Sequence, residues 1–222
     1  MDRKKNISMA VIKRLPKYYR YLRELLKSGV ARISSKELSE QIGFTASQIR
    51  QDLNCFGDFG QQGYGYNIKD LYEQIGNILG LTEEYKMVLI GSGNIGQAVA
   101  NYLYFEKIGF RICGIFDRNP KLIGLRIRDI EIQDIDFLSE YLKDNSIDIG
   151  IICVTKESAQ SICDVLTAND VRGIWNFAPV DLEVPADVIV ENVHLSESLL
   201  TLSCLLNDST NYKNKSIIDK EE

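Results

Sequence analysis

The residues best placed to do chemistry lie in one short stretch, Gly91-Ser-Gly-Asn-Ile-Gly96. It directly follows the apolar run Met87-Val-Leu-Ile90 and opens a segment carrying Ala98, Val99, Ala100 and Leu103. A glycine-rich turn between a strand and a helix suits a dinucleotide. Gly91 permits the tight turn, Gly93 lets backbone amides approach a pyrophosphate, and Gly96 allows helix to pack closely on strand. Ser92, Asn94 and Ile95 complete the cradle, and the anion rests at the positive end of the helix dipole. A second apolar run, Phe110–Phe116, ends in Asp117, 21 residues after Gly96. An acid about 20 residues beyond such a turn accepts hydrogen bonds from the adenosine ribose hydroxyls. It also repels a 2′-phosphate, which favours NAD over NADP, although the neighbouring Arg118 softens that preference. Coenzyme A and ATP, which carry the same adenosine, are the alternative ligands.

Other reactive groups are sparse. The chain has one histidine, His194, whereas a dehydrogenase needs a general acid or base beside the reacting carbon. No nucleophile elbow, metal cluster or Walker motif is present, so His194 reads as a structural or interface residue and the nucleotide as a signal. Cys55, Cys113, Cys153, Cys163 and Cys204 are odd in number and never spaced Cys-x-x-Cys, which argues against a disulfide framework or a zinc site. They read as reduced core residues. A small NAD-dependent oxidoreductase with an N-terminal oligomerisation domain is the competing function.

The elements that must position these groups follow from periodicity. Apolar residues from Val11 to Leu26 recur at spacings of three and four, a helix that Pro16 kinks or restarts. Ser34 and Ser35 precede Lys36–Ile42, with Glu37 placed as in a capping box and Gly43 closing the segment. Thr45 can cap a second short helix over Ala46–Phe56, and short helix, glycine turn, short helix is the helix-turn-helix pattern. Gly57–Ile68 interleaves four glycines with aromatics, as a β-hairpin wing would, and a helix over Ile68–Leu79 connects onward.

Beyond Gly80, strands at 86–90, 110–116, 147–154 and 173–177 alternate with helices at 95–106, 135–143 and 157–168. Shorter strands fall near 130–132 and 188–190. This is an α/β pattern, a parallel sheet flanked by helices. Leu195–Leu206 forms a last apolar helix. The expected organisation is a DNA-binding domain and connector over 1–80, a Rossmann domain with its terminal helix over 81–207, and a disordered tail over 208–222.

Charge supports the division. Residues 1–60 carry a net charge of +6 and residues 61–222 a net charge of −11, so only the N-terminal part is suited to a polyanion. No apolar run approaches the ~18 residues of a membrane span and the N-terminus lacks a signal-peptide pattern, so the expected location is the cytoplasm.

With these features in place, the chain resembles the Rex family of redox-sensing repressors. The resemblance covers residues 7–206 and rests on Arg14–Arg20, Ser34–Leu38, Gln48–Leu53, Phe56–Gly60, Gly63–Tyr66, Gly91–Gly96 and Asn176–Pro179. It implies a homodimer whose C-terminal helices exchange between subunits, a palindromic operator upstream of fermentation or respiration genes, and release of DNA by NADH more than by NAD⁺. On this reading the segment from Thr45 to Cys55 enters the major groove. Arg50 is the candidate for a bidentate base contact, with Thr45, Ser47, Gln48 and Gln51 beside it, and Lys36 and the wing residues Gly63 and Tyr64 lie on phosphates. The resemblance further places Tyr102 near the nicotinamide and Arg20 at the junction between domains. Two positions depart from the family: Gln51 stands where a second basic residue is common, and His194 where many members carry an acid that pairs with the junction arginine.

Overall fold

The computed structural model of the chain describes residues 7–56 and 65–218, with side chains as far as Asn207. The expected wing, including Gly63 and Tyr64, lies mostly outside the described residues. Two compact units meet at Glu83/Glu84.

In the first unit, helices α1 (Met9–Ile12) and α2 (Leu15–Lys27) are separate, and Pro16 stands in the first turn of α2. Proline belongs there because an amide at a helix start has no intrahelical acceptor to lose. Helix α3 (Ser35–Ile42) follows strand β1 (Arg32–Ile33). Its capping box is complete: the Ser34 hydroxyl accepts from the Glu37 amide at 3.1 Å and the Glu37 carboxylate from the Ser34 amide at 2.8 Å. Gly43 ends α3 in the left-handed region at φ +71°. Helix α4 (Ala46–Asn54) is capped by Thr45 and ends two residues before the expected Phe56. Strand β2 (Tyr66–Asn67) pairs antiparallel with β1, a pairing the sequence did not suggest, and leads into α5 (Ile68–Ile78). The buried faces of these helices share one core, which includes Leu15, Leu22, Leu38, Ile49, Leu53 and Ile75.

The second unit is a seven-stranded sheet in the order β5-β6-β4-β3-β7-β8-β9. Its strands are β3 (Tyr85–Ile90), β4 (Phe110–Asp117), β5 (Arg126–Ile127), β6 (Ile130–Asp134), β7 (Ile149–Ile152), β8 (Gly173–Asn176) and β9 (Ile189–Asn192). All pairings are parallel except that of edge strand β5 with β6. Met87, Val88, Leu89 and Ile90 are all buried, as a central strand covered on both faces requires. Helices α8 (Leu138–Asp144) and α9 (Lys156–Ala168) contribute buried leucines to the core on one face. On the other lie α6 (Asn94–Ala100) and α7 (Tyr104–Lys107), with Ala100 and Phe105 in the core. The single helix expected over 95–106 is thus two, interrupted at Asn101–Leu103.

Helix α10 (Leu195–Ile218) runs on through the polar stretch expected to be a disordered tail. Once a helix is nucleated, each further residue adds a hydrogen bond at the cost of fixing only its own backbone, so a polar extension can continue it. The cysteines also differ from expectation: Cys163 is buried, Cys204 is exposed on α10 and the other three are intermediate.

Candidate functional site

The turn from β3 to α6 has the geometry its glycines predict. Gly91 adopts φ +94°, and a Cβ there would stand 2.5 Å from the Cys153 carbonyl oxygen. At Gly96 a Cβ would come within 1.9 Å of the Gly91 carbonyl oxygen, so helix and turn touch there only because residue 96 is glycine. Gly93 is different: no atom lies within 4 Å of its missing Cβ, and the residue is exposed at the start of α6, which has no side-chain cap. A side chain at Gly93 would occupy this open space at the start of α6. Asn94 and Ile95 are exposed beside it. A cleft of about 280 Å³ opens there, lined by Gly91, Gly93, Asp117, Arg118, Val154 and Ser158 among others. Arg118 Nη1 reaches Ser158 Oγ, 3.3 Å away.

Ser92 is the departure in this turn. Its side chain is fully buried, and both its amide and its hydroxyl donate to Asp117 Oδ2, at 2.6 and 2.7 Å. It therefore orients the carboxylate and does not face the cleft as a phosphate ligand. The amide of Asn119 donates to Oδ1 at 2.8 Å. Burial alone would push the Asp117 carboxyl up, but the Asn119 and Ser92 donors outweigh it and hold the group below its ordinary value. Asp117 is thus an anion at neutral pH, suited to accepting ribose hydroxyls.

Two features of this unit were not read from the sequence. The Cys153 thiol is pushed up to about 12 by burial, which keeps it protonated and unreactive at neutral pH. An aromatic row, Tyr102–Phe105–Trp175–Phe177, runs through edge-to-face contacts at 4.8, 5.5 and 4.8 Å. Tyr102 is its exposed end and does not line the glycine-turn cleft. His194 lies 3.7 Å from Asp181, also away from that cleft.

In the first unit, α4 presents Ser47, Arg50 and Gln51 outward, with Thr45 exposed at its cap and Lys36 exposed on α3. Thr45 Oγ1 accepts from the Gln48 amide at 3.1 Å, which commits that hydroxyl to the helix start. Arg50 Nη1 donates to Ser35 Oγ at 2.9 Å. Gln48 is half-buried, and its amide nitrogen is held by Asp52, four residues on, at 2.9 Å. Asp52 is the group sequence reasoning missed. It is buried, receives Nε and Nη2 of Arg14 at 2.6 and 2.8 Å, and receives the Tyr18 hydroxyl at 2.8 Å. Arg20 is exposed on α2.

Comparison with known proteins agrees with this division. Residues 6–54 match the family model described as the N-terminus of putative DNA-binding proteins, and residues 82–180 match one described as a CoA-binding domain. The redox-sensing transcriptional repressor Rex of Clostridium tetani is 72% identical over 94% of this chain and 99% of its own length. The repressor of the same name from Clostridium kluyveri is 71% identical over the same shares. Among solved structures, RSP in complex with β-NAD⁺ and operator DNA superposes with a TM-score of 0.87 at 57% identity, covering 95% of this chain and 97% of that one. RSP in complex with β-NADH gives 0.87 at 55% identity over 95% and 99%.

Proposed function

The chain belongs to the Rex family of redox-sensing transcriptional repressors, and from that premise we propose that it binds operator DNA as a homodimer and lets go when NADH occupies the cleft beside Gly91 and Asp117. The observation that carries the ligand assignment is the Asp117 carboxylate, held ionised by Ser92 and Asn119 at the rim of the glycine turn. An anion there accepts the 2′- and 3′-hydroxyls of an unmodified adenosine ribose. It repels the 2′-phosphate of NADP and the 3′-phosphate of coenzyme A, so the described CoA-binding likeness is a likeness of fold. Gly93, Asn94 and Ile95 bring bare backbone to the pyrophosphate. When bound, the cofactor supplies the signal, a nicotinamide that is neutral in one redox state and cationic in the other. An apolar surface such as the aromatic row ending in Tyr102 favours the neutral form.

On DNA, α4 enters the major groove and Arg50 exchanges its Ser35 contact for a base edge, while Lys36 and the residues of the wing meet phosphates. Leu199, Leu200 and Leu205 of α10 are 65%, 68% and 62% exposed, an apolar surface that a second copy of the chain would cover. Dimer symmetry sets the spacing of the two half-sites, so a change between subunits breaks register. The ligand must bind the two dimer states unequally, because equal affinity shifts nothing. Arg20 and His194 are the residues through which we expect this coupling to pass, with Asp181 standing by His194 where the family's acid is absent. The chain acts as a regulator and not a catalyst, and it works in the cytoplasm; among the described residues no helix is long and apolar enough to cross a membrane.

Isothermal titration of the dimer with NADH, NAD⁺ and NADPH, each with and without a palindromic DNA duplex, tests the whole reading. The expected order is NADH tightest and NADPH weakest, with NADH and DNA opposing each other. DNA binding indifferent to NADH, or NADPH binding as tightly as NADH, overturns it.

A further inference from the structure

The exposed face of α4 has two flanks, and a lysine stands on each. At 3.6 residues per turn, Arg50 and Gln48 lie about 160° apart around the helix, with the exposed Ser47, Gln51 and Asn54 in the arc between them. On the Arg50 flank is the start of α3, where Ser35 Oγ accepts from Arg50 Nη1 and Lys36 is exposed. On the Gln48 flank is the start of α2, joined through Asp52, which receives both Gln48 Nε2 and the Arg14 guanidinium. The two cations at this second start differ. Arg14 is committed to the Asp52 carboxylate. Lys17, three residues on, is exposed, and among the described residues no carboxylate pairs with it. Its Nζ stands instead 4.8 Å from the ring centroid of Phe44, the residue just before the Thr45 cap of α4. Tyr18 meets that ring edge-to-face at 5.7 Å and ties it to the core of the unit. An aromatic face holds an ammonium without neutralising it, so the charge stays available to an anion.

An α-helix with its side chains is about 10–12 Å across and the major groove about 12 Å wide, so a helix in the groove has a phosphate strand along each side. We propose that Lys17 binds a backbone phosphate on the strand opposite the one that Lys36 meets, so that α4 is gripped from both edges of the groove. Phe44 is the positioning residue, holding the ammonium beside the first turn of α4. Such a contact fixes register and orientation and reads no base. The inference rests on α4 lying in the major groove.

The experiment uses the full-length protein and a duplex selected from a random library by the wild type. DNA affinity is measured between roughly 50 and 200 mM salt for wild type, Lys17→Gln, Lys17→Arg and Lys36→Gln. One phosphate contact adds about 0.9 to the slope of log affinity against log salt. Lys17→Gln is therefore expected to bind about tenfold more weakly at the low-salt end, with the difference shrinking about 3.5-fold by the high-salt end. Lys17→Arg keeps the cation and should restore the wild-type slope. The ranking of duplexes carrying single base changes should be the same in Lys17→Gln and wild type, and an unchanged NADH affinity shows that the variant is folded. Duplexes with one phosphate at a time replaced by a neutral methylphosphonate then locate the contact. One position should weaken wild type and not Lys17→Gln, on the strand opposite the position that depends on Lys36. An unchanged salt slope for Lys17→Gln overturns the proposal and leaves an ordinary solvated lysine. So does an altered base ranking, which marks a base contact, or a methylphosphonate position on the same strand as that of Lys36. If Lys36→Gln leaves the slope unchanged as well, the failure lies with the placement of α4 in the groove and not with Lys17 alone.

Discussion

Asp52 and Asp117 are both buried carboxylates, one in each unit, and both are held below the ordinary aspartate range against a burial cost that pushes them up. They reach that state by different means. Asp52 is opposed by a cation: the bidentate Arg14 guanidinium, with Gln48 and Tyr18, occupies every acceptor position. Asp117 is held by neutral donors, the Ser92 amide and hydroxyl and the Asn119 amide, with the Arg118 amide adding to their pull. A carboxylate locked against a guanidinium inside a helical core is a structural joint, whereas one held by backbone and hydroxyl donors and lining a cleft is a candidate binding group. Buried charge alone does not separate the two; the kind of donor and the adjoining cleft do.

The sharpest way to break this contrast is to remove each carboxylate. Asp52→Ala leaves Arg14 without its partner and should cost the first unit about 3–5 kcal/mol, the usual penalty for breaking a buried pair. Urea unfolding measures it, and operator binding should be lost while the affinity for NADH is kept. A loss below about 1 kcal/mol would mean that solvent already screens the pair. Asp117→Asn should do the reverse. Hydrogen bonds to a charged group contribute about 1.5–3 kcal/mol each, so NADH affinity should fall on the order of 30-fold or more. DNA binding should persist and become deaf to NADH. Calorimetry and a DNA-binding titration read the two effects separately.

Ser92→Ala probes the arrangement one step back. It removes one of the donors on Asp117 and no atom that faces the cleft, so the expected weakening of NADH binding is about three- to tenfold, with DNA affinity unchanged. A drop as large as that of Asp117→Asn would instead place Ser92 in direct contact with the ligand.

Much of this arrangement was legible in the chain because it depends on local rules. Gly43, the Ser34–Glu37 capping box and the placement of Pro16 follow from helix ends, and Gly91, Gly93, Gly96 and Asp117 follow from a spacing that only one turn satisfies. The features that were not legible depend on residues far apart. Asp52 reads as a polar residue on an exposed recognition helix until Arg14 and Tyr18, 38 and 34 residues earlier, are brought against it. Its one local signal is the four-residue spacing to Gln48, which places both on one helix face. The β1–β2 pair is only two residues long on each side, too short for alternation to show. The break at Asn101–Leu103 carries no glycine or proline to mark it.

Acid should expose the smallest difference between the two carboxylates. A group whose folded pKa is depressed contributes its full stabilisation above its unfolded value, near 3.9, and loses it as pH falls through the lower folded value. Both aspartates are depressed, so neither gives a pH dependence between 7 and 5; any slope there belongs to other groups. Below about pH 4 the unfolded chain takes up protons that the native carboxylates refuse, and stability falls. Asp52→Asn removes that term from the first unit, and Asp117→Asn removes it from the second. Urea unfolding of wild type and both variants at pH 7, 5, 4 and 3 should therefore give parallel curves down to pH 4. Below it the variants should fall less steeply than wild type. A wild-type slope already present at pH 5 that vanishes in Asp117→Asn would show that neutral donors alone do not hold the Asp117 carboxyl down.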